Sequence, residues 1–105
     1  MTNTSTWHTS ISDAIKVPIE KGRQSAFIFE DKDMQVRFYS PKQKDGQTPH
    51  HQDEVYVIAK GSGKFVRGND EISFKIGDII FVPKKEHHYF KDFTHDFSTW
   101  VIFYG

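Results

Sequence analysis

From Ala26 to the C-terminus, short apolar runs alternate with clusters of Gly, Pro, Asp, Asn and Lys. The spacing is roughly ten residues, the pattern of a sandwich or barrel built from short strands. The runs predict eight strands, at 26–29, 35–40, 54–59, 64–67, 71–75, 79–82, 87–90 and 97–104. A charged turn, Glu30-Asp31-Lys32-Asp33, separates the first two, and 41–47 is a loop. Gly61-Ser62-Gly63 ends the third strand, and the fourth and fifth form a hairpin across Gly68-Asn69-Asp70. Pro83 stops the sixth. Before Ala26 the pattern weakens. There Ser12 or Asp13 is positioned to cap one helical turn through Lys16, which Pro18 interrupts. The chain thus divides into an N-terminal arm, 1–25, whose first ten residues are expected to stay outside the packed body, and a β domain, 26–105.

Several strands are apolar at both parities, as in Val55-Tyr56-Val57-Ile58 and Trp100-Val101-Ile102-Phe103. A sheet with one wet face would alternate. Either strand edges carry surplus hydrophobes, or one outer face packs on a second copy of the chain as a homodimer.

Composition sharpens the β assignment. Among the 105 residues are ten Phe and four Tyr but no Leu, the mainstay of helix cores. This length accommodates one domain. With no Cys, there is no disulfide, thiolate metal site or cysteine nucleophile, so any metal must take nitrogen and oxygen ligands. Fourteen basic residues balance fourteen acidic ones, which argues against nucleic-acid binding. The start lacks a basic-then-apolar run and no stretch reads as a membrane span, so a cytoplasmic protein is expected.

Six His remain as candidate chemistry: His50 and His51 before a strand, His87 and His88 after a turn, and His8 and His95 alone. Neighbours in a strand face opposite ways, so one of each pair can look inward. Counting back by two from the third strand places His50, Gln52, Glu54 and Tyr56 on one face. His87 shares a face with Tyr89 and Lys91, and Lys91 prefers water, leaving His88 and Phe90 inward. His50, Glu54 and His88 then form a candidate trio, with a register shifted by one, favouring His51 and His87, as the alternative. Two imidazoles and a carboxylate suit Fe, Mn, Ni, Cu or Zn and leave coordination positions open. A His beside Gln, Asp and Glu is most often an ordinary solvated loop residue, which is the competing reading of His50.

The stretch from Pro49 to Gly61 resembles the first motif of the cupin superfamily: Glu54 and Gly61 are six residues apart, as in the motif, and His50 stands at its second His. Gly77, Pro83 and His88 similarly match the second motif. The resemblance runs from about Ala26 to Gly105 and is closest to small bacterial single-domain cupins. It implies an all-β fold, a double-stranded β-helix or jelly roll, often homodimeric, with a metal near the barrel centre and a small-molecule ligand or substrate entering at one end. It implies His50, Glu54 and His88 as metal ligands, with Glu54 also a candidate proton shuttle. Thr48, Gln52, Tyr56, Phe38, Phe90 and Trp100 would line or support the cavity, although aromatic core packing also accounts for the rings.

The departures are specific. Thr48 replaces the first motif His, leaving a vacancy that water or Gln52 could fill, and Lys42 stands for the opening Gly. Lys85 replaces a Gly in the second motif; positive φ there would cost on the order of 1 kcal/mol. Lys84 and Lys85 are solubility charges or an attraction for an anionic substrate. Cupin barrels host dioxygenases, isomerases and decarboxylases as well as non-catalytic modules, so a metal-dependent enzyme, a small-molecule or metal sensor, and a metal-free barrel are the competing functions.

Overall fold

A computed structural model describes residues 7–45 and 51–105. One short helix, α1 (Ile11–Lys16), precedes eight strands: β1 (Ala26–Asp31), β2 (Met34–Tyr39), β3 (Asp53–Lys60), β4 (Gly63–Arg67), β5 (Asp70–Phe74), β6 (Ile79–Val82), β7 (His88–Lys91) and β8 (Ser98–Tyr104). All pairings are antiparallel. Five strands form one sheet in the order β1-β2-β8-β3-β6, and three form a second, β5-β4-β7. The chain is a jelly-roll barrel. No helix among the described residues is long and apolar enough to cross a membrane.

The helix cap falls earlier than the sequence suggested. Ser10, not Ser12 or Asp13, is the N-cap, its Oγ accepting from Asp13 N at 3.1 Å. The hairpin turn is also tighter. Arg67 pairs directly with Asp70, so the loop is Gly68-Asn69, with Gly68 at φ 59°, as a two-residue hairpin requires of its first position. The seventh strand starts at His88, leaving His87 in the preceding turn.

Parity divides the five-stranded sheet into two faces. Inward, Tyr39, Tyr56, Ile58, Ile80, Val82 and Val101 meet Phe65, Phe74 and Phe90 of the smaller sheet, with Phe97 closing the end. Phe90 is the hub, its ring 4.7–4.8 Å from those of Phe65, Tyr56 and Phe97. Aromatic rings in tilted and edge-on contact fill the interior, which is why the chain has no need of Leu.

Outward, Ile28, Val36, Phe38 and Ala59 form a separate cluster with Ala14 of α1, joined at its margin by Trp100 and Ile102. The chain's own arm therefore covers the part of the outer face around Phe38 and Ala59. Arg37 fastens that arm: its buried guanidinium donates to Ser25 Oγ, Ser25 O, Gln35 Oε1 and Glu20 Oε1, all at 2.8–2.9 Å. A buried guanidinium needs this many acceptors.

Candidate metal and ligand site in the barrel

Glu54 enters β3 at the second position and faces inward between Val82 of β6 and Phe103 of β8. His88 opens β7 on the opposite sheet, beside Arg67 of β4. Their side chains are both 1% exposed, and His88 Nε2 lies 2.9 Å from Glu54 Oε1. Strand parity thus brings together two members of the expected trio. The third, His50, and the vacancy residue, Thr48, lie outside the described residues. Among the described residues no group of three or more His, Cys, Asp or Glu could hold a metal.

The imidazole is held at three points. Nδ1 lies 2.8 Å from the Glu86 carbonyl, which can only accept, so Nδ1 carries a proton and Nε2 is the variable position. Tyr56 Oη lies 3.1 Å from Nε2, on the same side as Glu54. Burial pushes the His88 pKa down, but the Glu54 hydrogen bond, the Glu86 carbonyl and the negative charges of Glu54 and Asp45 outweigh it, and the net shift is upward. Without a metal, the pocket favours a proton on Nε2, shared with a carboxylate. An Nδ1–H fixed on a backbone carbonyl leaves Nε2 as the ring nitrogen that faces the carboxylate.

The alternative register is excluded on the β7 side. His87 is exposed and stacks edge-on against Tyr89, ring centroids 5.8 Å apart. His51 is exposed too. Of the expected cavity residues, Tyr56 and Phe90 belong to the interior. Phe38 and Trp100 do not: they pack edge-on against each other at 4.8 Å in the outer cluster, because their parity on β2 and β8 is opposite to that of Tyr39 and Val101. Gln52 also departs. It precedes β3, where the period of two no longer holds, and its Nε2 donates to the Asp33 carbonyl at 3.1 Å, in the β1–β2 turn.

One contributor carried no signal in the sequence beyond an acid in a loop. Asp45 accepts from Phe90 N at 2.7 Å through Oδ2 and from Tyr39 Oη at 2.5 Å through Oδ1. It ties the loop after β2 to the edge of β7 and adds negative charge near His88. Lys85 adopts φ 66°, the left-handed conformation that the motif's Gly would supply, and remains exposed. The motif Gly61 has φ 81°, and a Cβ there would come within 2.7 Å of Phe97 Cα.

Comparisons place this geometry. The chain resembles an uncharacterised protein from Streptomyces coelicolor, 32% identical over 59 residues; the match spans 56% of each chain, so about half of that relative's length. Its fold is similar to an uncharacterised double-stranded β-helix protein from Klebsiella pneumoniae, with a TM-score of 0.75 and 18% identity over 94% of this chain and 90% of that one. A cupin-2 domain protein from Shewanella frigidimarina matches at TM-score 0.68, with 18% identity over 90% and 91% of the two chains. A structure of the DMSP lyases RdDddP and RnDddQII matches at 0.62, with 22% identity over 71% of this chain and 40% of that one. The Cupin_2 family model, described as the cupin domain, matches residues 36–99, from β2 into β8 and across the Glu54–His88 pair. The chain therefore belongs to the cupin domain family.

Proposed function

We propose that this protein is a metal-dependent cupin that binds and transforms a small molecule inside its barrel, with His50, Glu54 and His88 as the ligand set. The observation carrying this reading is the 2.9 Å approach of His88 Nε2 to Glu54 Oε1 in an interior otherwise built of aliphatic and aromatic side chains. A buried acid and base stabilise a fold less well than apolar packing of the same volume, so their presence points to chemistry. Cupin domains often bind metals, and the fold shared with DMSP lyases supports an interior able to host a reaction. A bound Fe, Mn, Ni, Cu or Zn ion would supply Lewis acidity toward a carbonyl or enolate oxygen, as an isomerase or dioxygenase requires. His88 is pinned by Glu86 so that only Nε2 can act. Glu54 either serves as a ligand or moves a proton, and Tyr56 Oη is placed to orient a polar group near both.

The test is metal content. Untagged protein reconstituted with Fe(II), Mn, Ni or Zn is expected to retain about one equivalent. His50→Ala and His88→Ala should lose it. Equal, near-zero metal in all three would overturn the reading in favour of a metal-free barrel. Metal-dependent turnover of small enols or oxo acids supports an enzyme, whereas saturable binding without turnover supports a sensing module.

We further propose that two copies pair through the part of the outer sheet face that α1 leaves bare. Two cross-strand rows support this: Trp100–Val57–Ile79 and Ile102–Val55–Phe81 run across β8, β3 and β6 without a charge. Ile79 is 71% exposed and Phe81 45%. In a two-fold dimer such a patch would meet its own copy across the axis.

A further inference from the structure

We propose that the groove between α1 and the outer face of the five-stranded sheet is a second ligand site, separate from the barrel interior, that takes an amphipathic monoanion: a carboxylate on an apolar chain or ring. The groove encloses about 400 Å³, within the usual range of small-molecule sites. Its apolar wall is Ala14, Val17, Ala26 and Phe38, and its polar wall carries Lys42, Lys60, His95 and Asp96. Two lysines against one carboxylate leave this wall with a formal excess of one positive charge. Asp96 Oδ1 accepts from Thr94 Oγ1 at 2.8 Å, and neither Lys42 nor Lys60 has an ion-pair partner among the described residues.

Lys60 reaches this wall through a defect in the strand. Along β3, Ile58 pairs with Thr99 and Lys60 with Ser98, so Ala59 is an extra residue. Regular alternation would send Lys60 inward with Ile58. The bulge instead places it on the outer face with Ala59, a redirection for which bulges are used. The Lys60 side chain is partly buried against this wall, and an anion in the groove would give its ammonium a charge-assisted partner. Ala14, Ile15, Val17, Ile19 and Ala26 lie before the family match at 36–99, so the arm supplies one wall of the groove and the matched domain the other.

Octanoate is the probe, titrated into the full-length protein by calorimetry and ¹H–¹⁵N spectroscopy, with octanol and acetate as controls lacking one end of the ligand. Octanoate should saturate with a Kd below about 1 mM, at least about tenfold tighter than either control. The shifts should centre on Ala14, Val17, Ala26 and Ser40. Lys60→Met should weaken octanoate about tenfold and leave octanol unchanged. Lys42→Met, in an exposed loop where folding is not at stake, should act in the same direction. The proposal is overturned if octanoate fails to saturate, if octanol binds equally well, if Lys42→Met has no effect, or if the shifts centre on Tyr56 and His88.

Discussion

His88 Nε2 and Glu54 Oε1 meet at 2.9 Å from strands that belong to different sheets, so the pair is a polar bond across the barrel. Removing one partner takes from the other a charge-assisted bond in a buried setting. In metal-free protein, Glu54→Ala is expected to lose about 3 kcal/mol, while Glu54→Leu combined with His88→Phe should lose less than the sum of the single changes. Urea denaturation of the wild type, the single variants and the double variant reads this directly, and strict additivity would show that the two side chains do not interact.

The same pair sets a pH dependence. His88 has its pKa raised above the ordinary 6.5, so the folded state holds its proton more tightly than the unfolded chain. Its contribution to stability is complete below about pH 6.5 and is lost as pH rises through the folded pKa. Metal-free protein should therefore weaken across that window, and His88→Phe should not show this component. Since a metal competes with the Nε2 proton, metal affinity should rise over the same window. An NMR titration midpoint for His88 at or below 6.5 in metal-free protein would contradict both statements.

Lys85 occupies a left-handed conformation, φ 66°, with an exposed side chain. Lys85→Gly relieves that strain at little cost in contacts and should raise stability by about 0.5–1 kcal/mol, seen as a higher urea midpoint. Unchanged or reduced stability would mean that the turn tolerates Lys without strain.

Gly61 presents the reverse case. Its φ is 81°, and a Cβ added to it would approach the Phe97 backbone to 2.7 Å, which leaves no room for a side chain. Gly61→Ala should cost about 2–3 kcal/mol, because strain and a backbone clash add. Thermal unfolding would measure it.

If the bare face pairs two copies, Phe81→Asp should yield monomers with secondary structure intact, since Phe81 points away from the interior. Sedimentation velocity on wild type and variant decides the matter. A monomeric wild type at about 100 μM, well above the Kd of a stable dimer, would remove the dimer.

The strands and the inward choice of His88 over His87 were legible because Val, Ile, Phe and Tyr alternate against Lys at short range, and strand parity needs only local order. Parity misleads where that order stops. Gln52 sits one residue before β3, and its side chain turned to the Asp33 carbonyl instead of following the count. Phe38 and Trp100 read as cavity residues because an apolar ring carries no mark of which face is covered. Their parity opposite Tyr39 and Val101, and the packing of Ala14 beside them, identify theirs as the outer one. Asp45 could not be foreseen, since its partners, Phe90 N and Tyr39 Oη, become neighbours only when the loop crosses to the other sheet.

The inserted Ala59 gives β3 an unusual double allegiance. Near its first residue the strand offers an acid to the enclosed aromatic chamber; near its last, past the extra residue, it offers a base to the opposite side of the same wall. One short segment thereby addresses both sides of one wall; were Ala59 paired in the ladder instead of bulged, Lys60 would turn toward the barrel interior.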